Sequence, residues 1–148
     1  MQHGQLTLFG KRQRKKRAAP EFNLHVLIAD ILNRWGTPDW RWTHLPFGEH
    51  RNAITGARLK RMGTKRGWPD FVLLSPREHL VDGEVWRWPF GKAHFLELKR
   101  KGAQLSDDQA ELGAWLMDNG YPYRVADNFD EALTILKCWG AVRVSVSA

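Results

Sequence analysis

Apolar residues in "PEFNLHVLIADILNRWG" fall at Leu24, Leu27, Ile28, Ile31, Leu32 and Trp35, a spacing that predicts an amphipathic helix. Pro20 suits its first turn and Gly36 its stop. "DWRWTHLPF" alternates enough to be a strand. Two short apolar runs follow, "DFVLL" and "AHFLELK". Between them, within the proline- and glycine-rich segment Pro76–Ala93, "VDGEVWRW" predicts a small hairpin turning at Asp82-Gly83. "SDDQAELGAWLMDNG" predicts a helix capped by Ser106, with Leu112, Trp115 and Leu116 on its apolar face. "YPYRVAD" reads as a strand, "NFDEALTILKCWG" as a helix capped by Asn128, and "AVRVSVS" as a last short strand. This order predicts an α/β fold, a mixed β-sheet flanked by helices.

Pairing the two apolar runs as an antiparallel hairpin changes the picture from fold to chemistry. The start of the first strand then lies beside the end of the second, and Asp70 meets Glu97 and Lys99. Strand period puts Phe95, Glu97 and Lys99 on one face, with Leu96 and Leu98 on the other. Two carboxylates held close repel each other and need a further positive charge. Magnesium, or manganese, takes hard oxygen ligands and leaves other positions to water and phosphate. Lys99 could orient or help deprotonate a water there, which is equipment for hydrolysing a phosphodiester. The plain alternative is an exposed strand edge, since Glu-x-Lys alone is common.

With 148 residues the chain fits one domain. No apolar run approaches the roughly 20 residues of a membrane span. Cys138 is the only cysteine, which excludes an intrachain disulfide and a cysteine-rich zinc site. A cytoplasmic setting, in a bacterial or phage-infected cell, is the expectation. Charge is uneven: the net +7 is concentrated in residues 1–19, where Lys11, Arg12, Arg14, Lys15, Lys16 and Arg17 stand without an acid. A basic, flexible tail on a near-neutral body spanning 20–148 favours a polyanionic partner.

A second basic stretch holds Arg51, Arg58, Lys60, Arg61, Lys65 and Arg66, with no acid between Glu49 and Asp70. These cations, with Lys101, are candidate contacts to DNA phosphates, or else a solvated helical face. Trp40, Trp42, Trp86 and Trp88 are candidates for stacking on unpaired bases, although most of the eight tryptophans are expected in the core.

Together, "GWPDFVLL", "HFLELKR" and "LSDDQAELGAWLMDNGY" resemble the VRR-NUC family of PD-(D/E)xK nucleases. The resemblance runs from "GARLKRMGTKRG" upstream to "RVADNFDEALTIL" downstream and covers roughly residues 20–137. It implies a restriction-endonuclease-like core and a DNA endonuclease dependent on Mg2+ or Mn2+ and selective for branched DNA such as four-way junctions. It further implies that Asp70 and Glu97 are metal ligands assisted by the Leu98 carbonyl, and that Lys99 is catalytic.

The family's helix glutamine matches Gln109, which as Ser106-x-x-Gln109 also reads as a capping box. Its further acid on the first helix matches Glu21, with His25 one turn later as the competing residue. Symmetric cutting of two strands implies a two-fold homodimer. The alternatives are a monomeric flap or end nuclease, and a non-catalytic DNA-binding or sliding-clamp-associated adaptor.

The tail carries one more signal. "QLTLF" resembles the short peptide by which bacterial replication and repair proteins dock on the sliding clamp. Gln5 would offer an amide and Leu6, Leu8 and Phe9 apolar anchors; a chance match or an N-terminal strand is the alternative.

Overall fold

The strand carrying Asp70 at its mouth pairs with the strand carrying Glu97, and the rest of the chain is arranged around that pair. A computed structural model describes residues 20–47, 52–81 and 83–143. The elements run α1 (Pro20–Trp35), β1 (Arg41–His44), α2 (Ala53–Arg61), β2 (Phe71–Ser75), β3 (Glu78–Val81), β4 (Glu84–Arg87), β5 (Lys92–Leu98), α3 (Asp107–Asp118), β6 (Tyr123–Ala126) and α4 (Phe129–Trp139). The main sheet has the order β1-β2-β5-β6, antiparallel across β1–β2–β5 and parallel at β5–β6. A parallel neighbour needs a crossover, and α3 supplies it. The fold is therefore the expected mixed sheet flanked by helices.

Each sheet face is covered by helices whose apolar stripes fit it. Leu24, Ile28 and Leu32 form one buried stripe on α1 and meet Phe71, Leu73, Leu96 and Leu98 of the sheet, with Ala132 and Leu136 of α4. Leu27 lies off that stripe and stays exposed. On the opposite face, Leu116 of α3 packs with Phe95 and Tyr123. Strand period explains the partition, since Leu96 and Leu98 point one way and Phe95 and Glu97 the other.

Gly113 makes the α3 approach possible, because a Cβ there would come within 2.5 Å of the Tyr123 ring. Trp115, expected on the apolar face of α3, is instead 55% exposed and stacks on Tyr121 with ring centroids 6.2 Å apart. Leu112 and Leu116 already fill the contact with the sheet, so the larger ring turns outward.

The hairpin expected near Asp82-Gly83 forms as β3 and β4, with Glu78 opposite Arg87 and Val81 opposite Glu84. Of the expected last strand only residues 141–143 are described. Val142 makes a single bridge to Gly36, and Arg143 donates its backbone N–H to the Trp35 carbonyl. Residues 144–148 lie outside the described residues, as do Arg51 and the whole basic tail, including the Gln5–Phe9 segment. Among the described residues no helix is long and apolar enough to cross a membrane.

Candidate active site

Pro69 is fully buried and Asp70 follows it at the mouth of β2. The register Phe71↔Leu96 continues to Asp70 opposite Glu97, so the two carboxylates come from adjacent strand ends. Asp70 is fixed at both ends of its residue. The Leu98 backbone N–H donates to Asp70 Oδ2 at 2.7 Å, and the Leu45 N–H donates to the Asp70 carbonyl at 2.6 Å. The Asp70 side chain thereby satisfies a backbone amide of β5 at the strand end.

Glu97 is nearly enclosed, at 2% exposure. Its Oε1 accepts from Gln109 Nε2 at 2.5 Å and lies 3.0 Å from Lys99 Nζ. Burial pushes the Glu97 carboxyl up to about 7, and the Asp70 charge adds to this. Lys99 opposes the rise, while the charge of Glu21 reinforces it. A carboxylate held in this way is stabilised by any added cation.

Gln109 forms the expected capping box and also hydrogen-bonds to Glu97 and Lys99. Its backbone N–H donates to Ser106 Oγ, and its side-chain Oε1 accepts from the Ser106 backbone N–H at 3.0 Å, completing the capping box. The same Oε1 accepts from Lys99 Nζ at 2.7 Å. Gln109 thus fixes the start of α3 and spans Glu97 and Lys99 in one side chain. The loop before Asp70 is pinned to that helix end as well. Gly67 has φ +80°, and a Cβ on it would meet the Asp108 carbonyl oxygen at 2.5 Å.

From the other side comes α1. His25 Nε2 lies 3.2 Å from Asp70 Oδ1, and Nδ1 of the same ring is 2.7 Å from the Glu21 carbonyl oxygen. Burial works to lower the His25 pKa, but the hydrogen bonds to Asp70 and Glu21 outweigh it and leave it raised. Of the two residues weighed on this helix, His25 makes the direct contact with Asp70. Glu21 acts on Glu97 and His25 through its charge.

His44 was not singled out from sequence. It ends β1 opposite Phe71, so the β1–β2 register carries it beside Asp70. One ligand atom each from His25, His44 and Asp70 lie within 4.8 Å of one another. The only sequence signal for His44 was its place at the end of a strand, which gains meaning once the pairing is known.

The remaining candidates separate clearly. Arg58, Lys60, Arg61, Lys65, Arg66 and Lys101 are all exposed, with α2 burying no residue. Trp40 is a core residue, 6% exposed and packed against His94, and is not available to a base. Trp42 packs partly buried against the same core. Trp86 and Trp88 are exposed and stacked on each other at 6.2 Å, with Lys92 Nζ 4.2 Å above the Trp88 ring.

No family model matches the sequence, and neither does any curated protein. A solved structure described as a "VRR_NUC domain protein" does match the fold, with a TM-score of 0.57 and 19% identity over 82% of this chain and 88% of that one. The chain therefore shares the mixed, helix-flanked sheet of a VRR_NUC domain protein.

Proposed function

We propose that the protein is a divalent-metal-dependent deoxyribonuclease acting on branched DNA, with Asp70, Glu97 and Lys99 at its centre. The observation that carries the reading is the meeting of two carboxylates at adjacent strand ends with a lysine 3.0 Å from one of them. The donor set fits Mg2+ or Mn2+: hard oxygens, one of them on a carboxyl whose charge burial and Asp70 disfavour. Asp70, Glu97 and the Leu98 carbonyl would hold the ion. A hard dication supplies Lewis acidity toward a phosphodiester.

The chain's own residues do the rest. Lys99 is held by Glu97 Oε1 and Gln109 Oε1, which aims its ammonium at the space beside the carboxylates. From there it donates to an attacking water or to a phosphate oxygen as negative charge builds in the transition state. The amide of Gln109 keeps the ammonium and the Glu97 carboxylate at a fixed separation. The exposed cations of α2 and the following loop precede Asp70 directly and would hold backbone phosphates without reading bases. Two such sites in a dimer would cut two strands symmetrically.

The test is a panel of labelled duplex, flap, fork and four-way-junction DNAs incubated with Mg2+ or Mn2+. Preferential cutting of branched substrates supports the reading. Cutting confined to flaps or ends by a monomer would replace junction resolution with an end nuclease. Binding without any cutting would leave a DNA-binding adaptor.

A further inference from the structure

The two imidazoles beside Asp70 have no part in the chemistry above. His25 comes from α1, His44 from the end of β1 and Asp70 from the mouth of β2, so three separate elements converge. Phe71, 1% exposed, touches both rings: its centroid is 5.9 Å from that of His25 and 5.3 Å from that of His44. The two imidazoles meet edge to face at 5.1 Å. Both are held by packing before any ligand arrives.

The tautomer of His25 follows from its partner. A carbonyl oxygen only accepts, so the 2.7 Å contact between Nδ1 and the Glu21 carbonyl requires the proton on Nδ1. Nε2 is then the nitrogen presented to Asp70 Oδ1, at 3.2 Å. A proton on Nε2 joins the two atoms as an ion pair, and a metal dication is the other cation that can stand between them in its place. An N–H to carbonyl bond behind a histidine is the arrangement that orients a metal-ligating imidazole. Zinc-type ligand distances of roughly 2.0–2.1 Å in a tetrahedron space neighbouring ligand atoms by about 3.3 Å. The observed 3.2 Å suits that spacing as well as it suits an N–H to carboxylate contact, and the three ligand atoms together lie within 4.8 Å of one another.

We propose that His25 Nε2, His44 and Asp70 Oδ1 form a second cation site that takes a first-row transition-metal dication, such as Zn2+ or Co2+, in preference to Mg2+. Imidazole nitrogen suits these borderline ions, whereas Mg2+ demands oxygen ligands. Asp70 then faces two ways. Its Oδ2 is on the side of Leu98 and the oxygen-lined centre, and its Oδ1 is on the side of the histidines. Three protein ligands leave a position open, the pattern of a reactive rather than a closed structural zinc site. The inference shares Asp70 with the proposed hydrolytic centre and to that extent rests on it.

The test is Zn2+ titration of the full chain by calorimetry in saturating Mg2+, with zinc K-edge absorption on the loaded wild-type protein. One Zn2+ per chain that Mg2+ does not displace, with two imidazoles in its coordination shell, is the expected result. His25→Phe and His44→Phe keep a ring against Phe71 and remove the nitrogen, and each should weaken Zn2+ binding by about tenfold or more. Glu97→Gln should keep Zn2+ affinity while losing DNA cleavage, which separates this site from the oxygen-lined centre.

Zn2+ bound no more tightly than Mg2+, an all-oxygen shell, or full affinity in the folded phenylalanine variants would each overturn the proposal. If those variants do not fold, the wild-type absorption edge decides alone. Zn2+ binding as expected, in a protein that cuts no DNA with Mg2+ or Mn2+, would sustain the site and refute the hydrolytic reading.

Discussion

Gln109 Nε2 donates to Glu97 Oε1 across 2.5 Å, joining the first turn of α3 to the end of β5. The same amide accepts from Lys99 through its oxygen, so one side chain sets the spacing of the carboxylate and the ammonium. Gln109→Glu keeps an acceptor for both Lys99 and the Ser106 amide, and so preserves the capping box. It also sets a second carboxylate against Glu97. Cleavage should fall about a hundredfold, as misplacement of a reacting group does. The metal-free melting temperature should fall above neutral pH, where the two carboxylates repel, and recover at lower pH, where the capping box alone decides. Single-turnover cleavage with parallel thermal unfolding checks both halves. An unchanged rate would reduce Gln109 to a helix cap.

Glu97 should be a cost to the metal-free fold. Its carboxyl is pushed from 4.5 up to about 7 by burial and by Asp70, so the folded state binds the proton more tightly than the unfolded chain does. Ionising it therefore costs stability as pH rises through that range. Glu97→Gln should raise the stability of metal-free protein above neutral pH by about 1–3 kcal/mol, measured by urea unfolding in chelator. The gain should shrink when Mg2+ is added, because the ion stabilises the wild-type carboxylate. A loss of stability would mean that Lys99 outweighs burial.

His94 should act with the opposite sign over much of the same pH range. It is 6% exposed, packed among Trp40, His79 and Trp139, and burial lowers its pKa from 6.5 to about 4, with the charges of His79 and Lys92 acting in the same direction. The unfolded chain protonates first, so stability is full above pH 6.5 and is lost as pH falls toward 4. At about 1.4 kcal/mol per pH unit the loss approaches roughly 3 kcal/mol. Because Glu97 acts oppositely over that range, denaturant unfolding of Glu97→Gln between those pH values should show the loss, and adding His94→Phe should flatten the profile.

Gly67 and Gly63 form a matched pair. Both have positive φ, +80° and +96°, but only Gly67 has the Asp108 carbonyl where a Cβ would stand. Gly63→Ala should cost about 1 kcal/mol from backbone strain alone. Gly67→Ala should cost more, about 2–3 kcal/mol, and slow cleavage by shifting the Asp70 loop away from α3. Equal costs in thermal unfolding would show that the loop yields without disturbing the helix.

Much of this was legible along the chain, where local pattern decides the outcome. The Asp70–Glu97 convergence follows from one hairpin register, and the Leu24/Ile28/Leu32 stripe follows from helical period. Other features depend on which surface a helix or strand meets. Periodicity put Trp115 on the apolar face of α3, but the width of the contact excludes it. Of the strand that alternation in "AVRVSVS" favours, only residues 141–143 are described, and there Val142 bridges Gly36. Trp40 could be judged exposed or buried only once it was seen against His94. His44 matters because β1 pairs with β2 in a register that no local signal in either strand fixes.

The central claim is that Asp70, Glu97 and Lys99 hydrolyse phosphodiesters with a divalent cation. Its most direct measurement is single-turnover cleavage of a labelled four-way junction by wild type, Asp70→Asn, Glu97→Gln and Lys99→Ala, with DNA affinity measured on the same preparations. Wild type should cut with Mg2+ or Mn2+ and stop in chelator. Each variant should lose about a hundredfold or more in rate while binding DNA as the wild type does. Undiminished cutting by Asp70→Asn, or cutting that persists in chelator, would contradict the account.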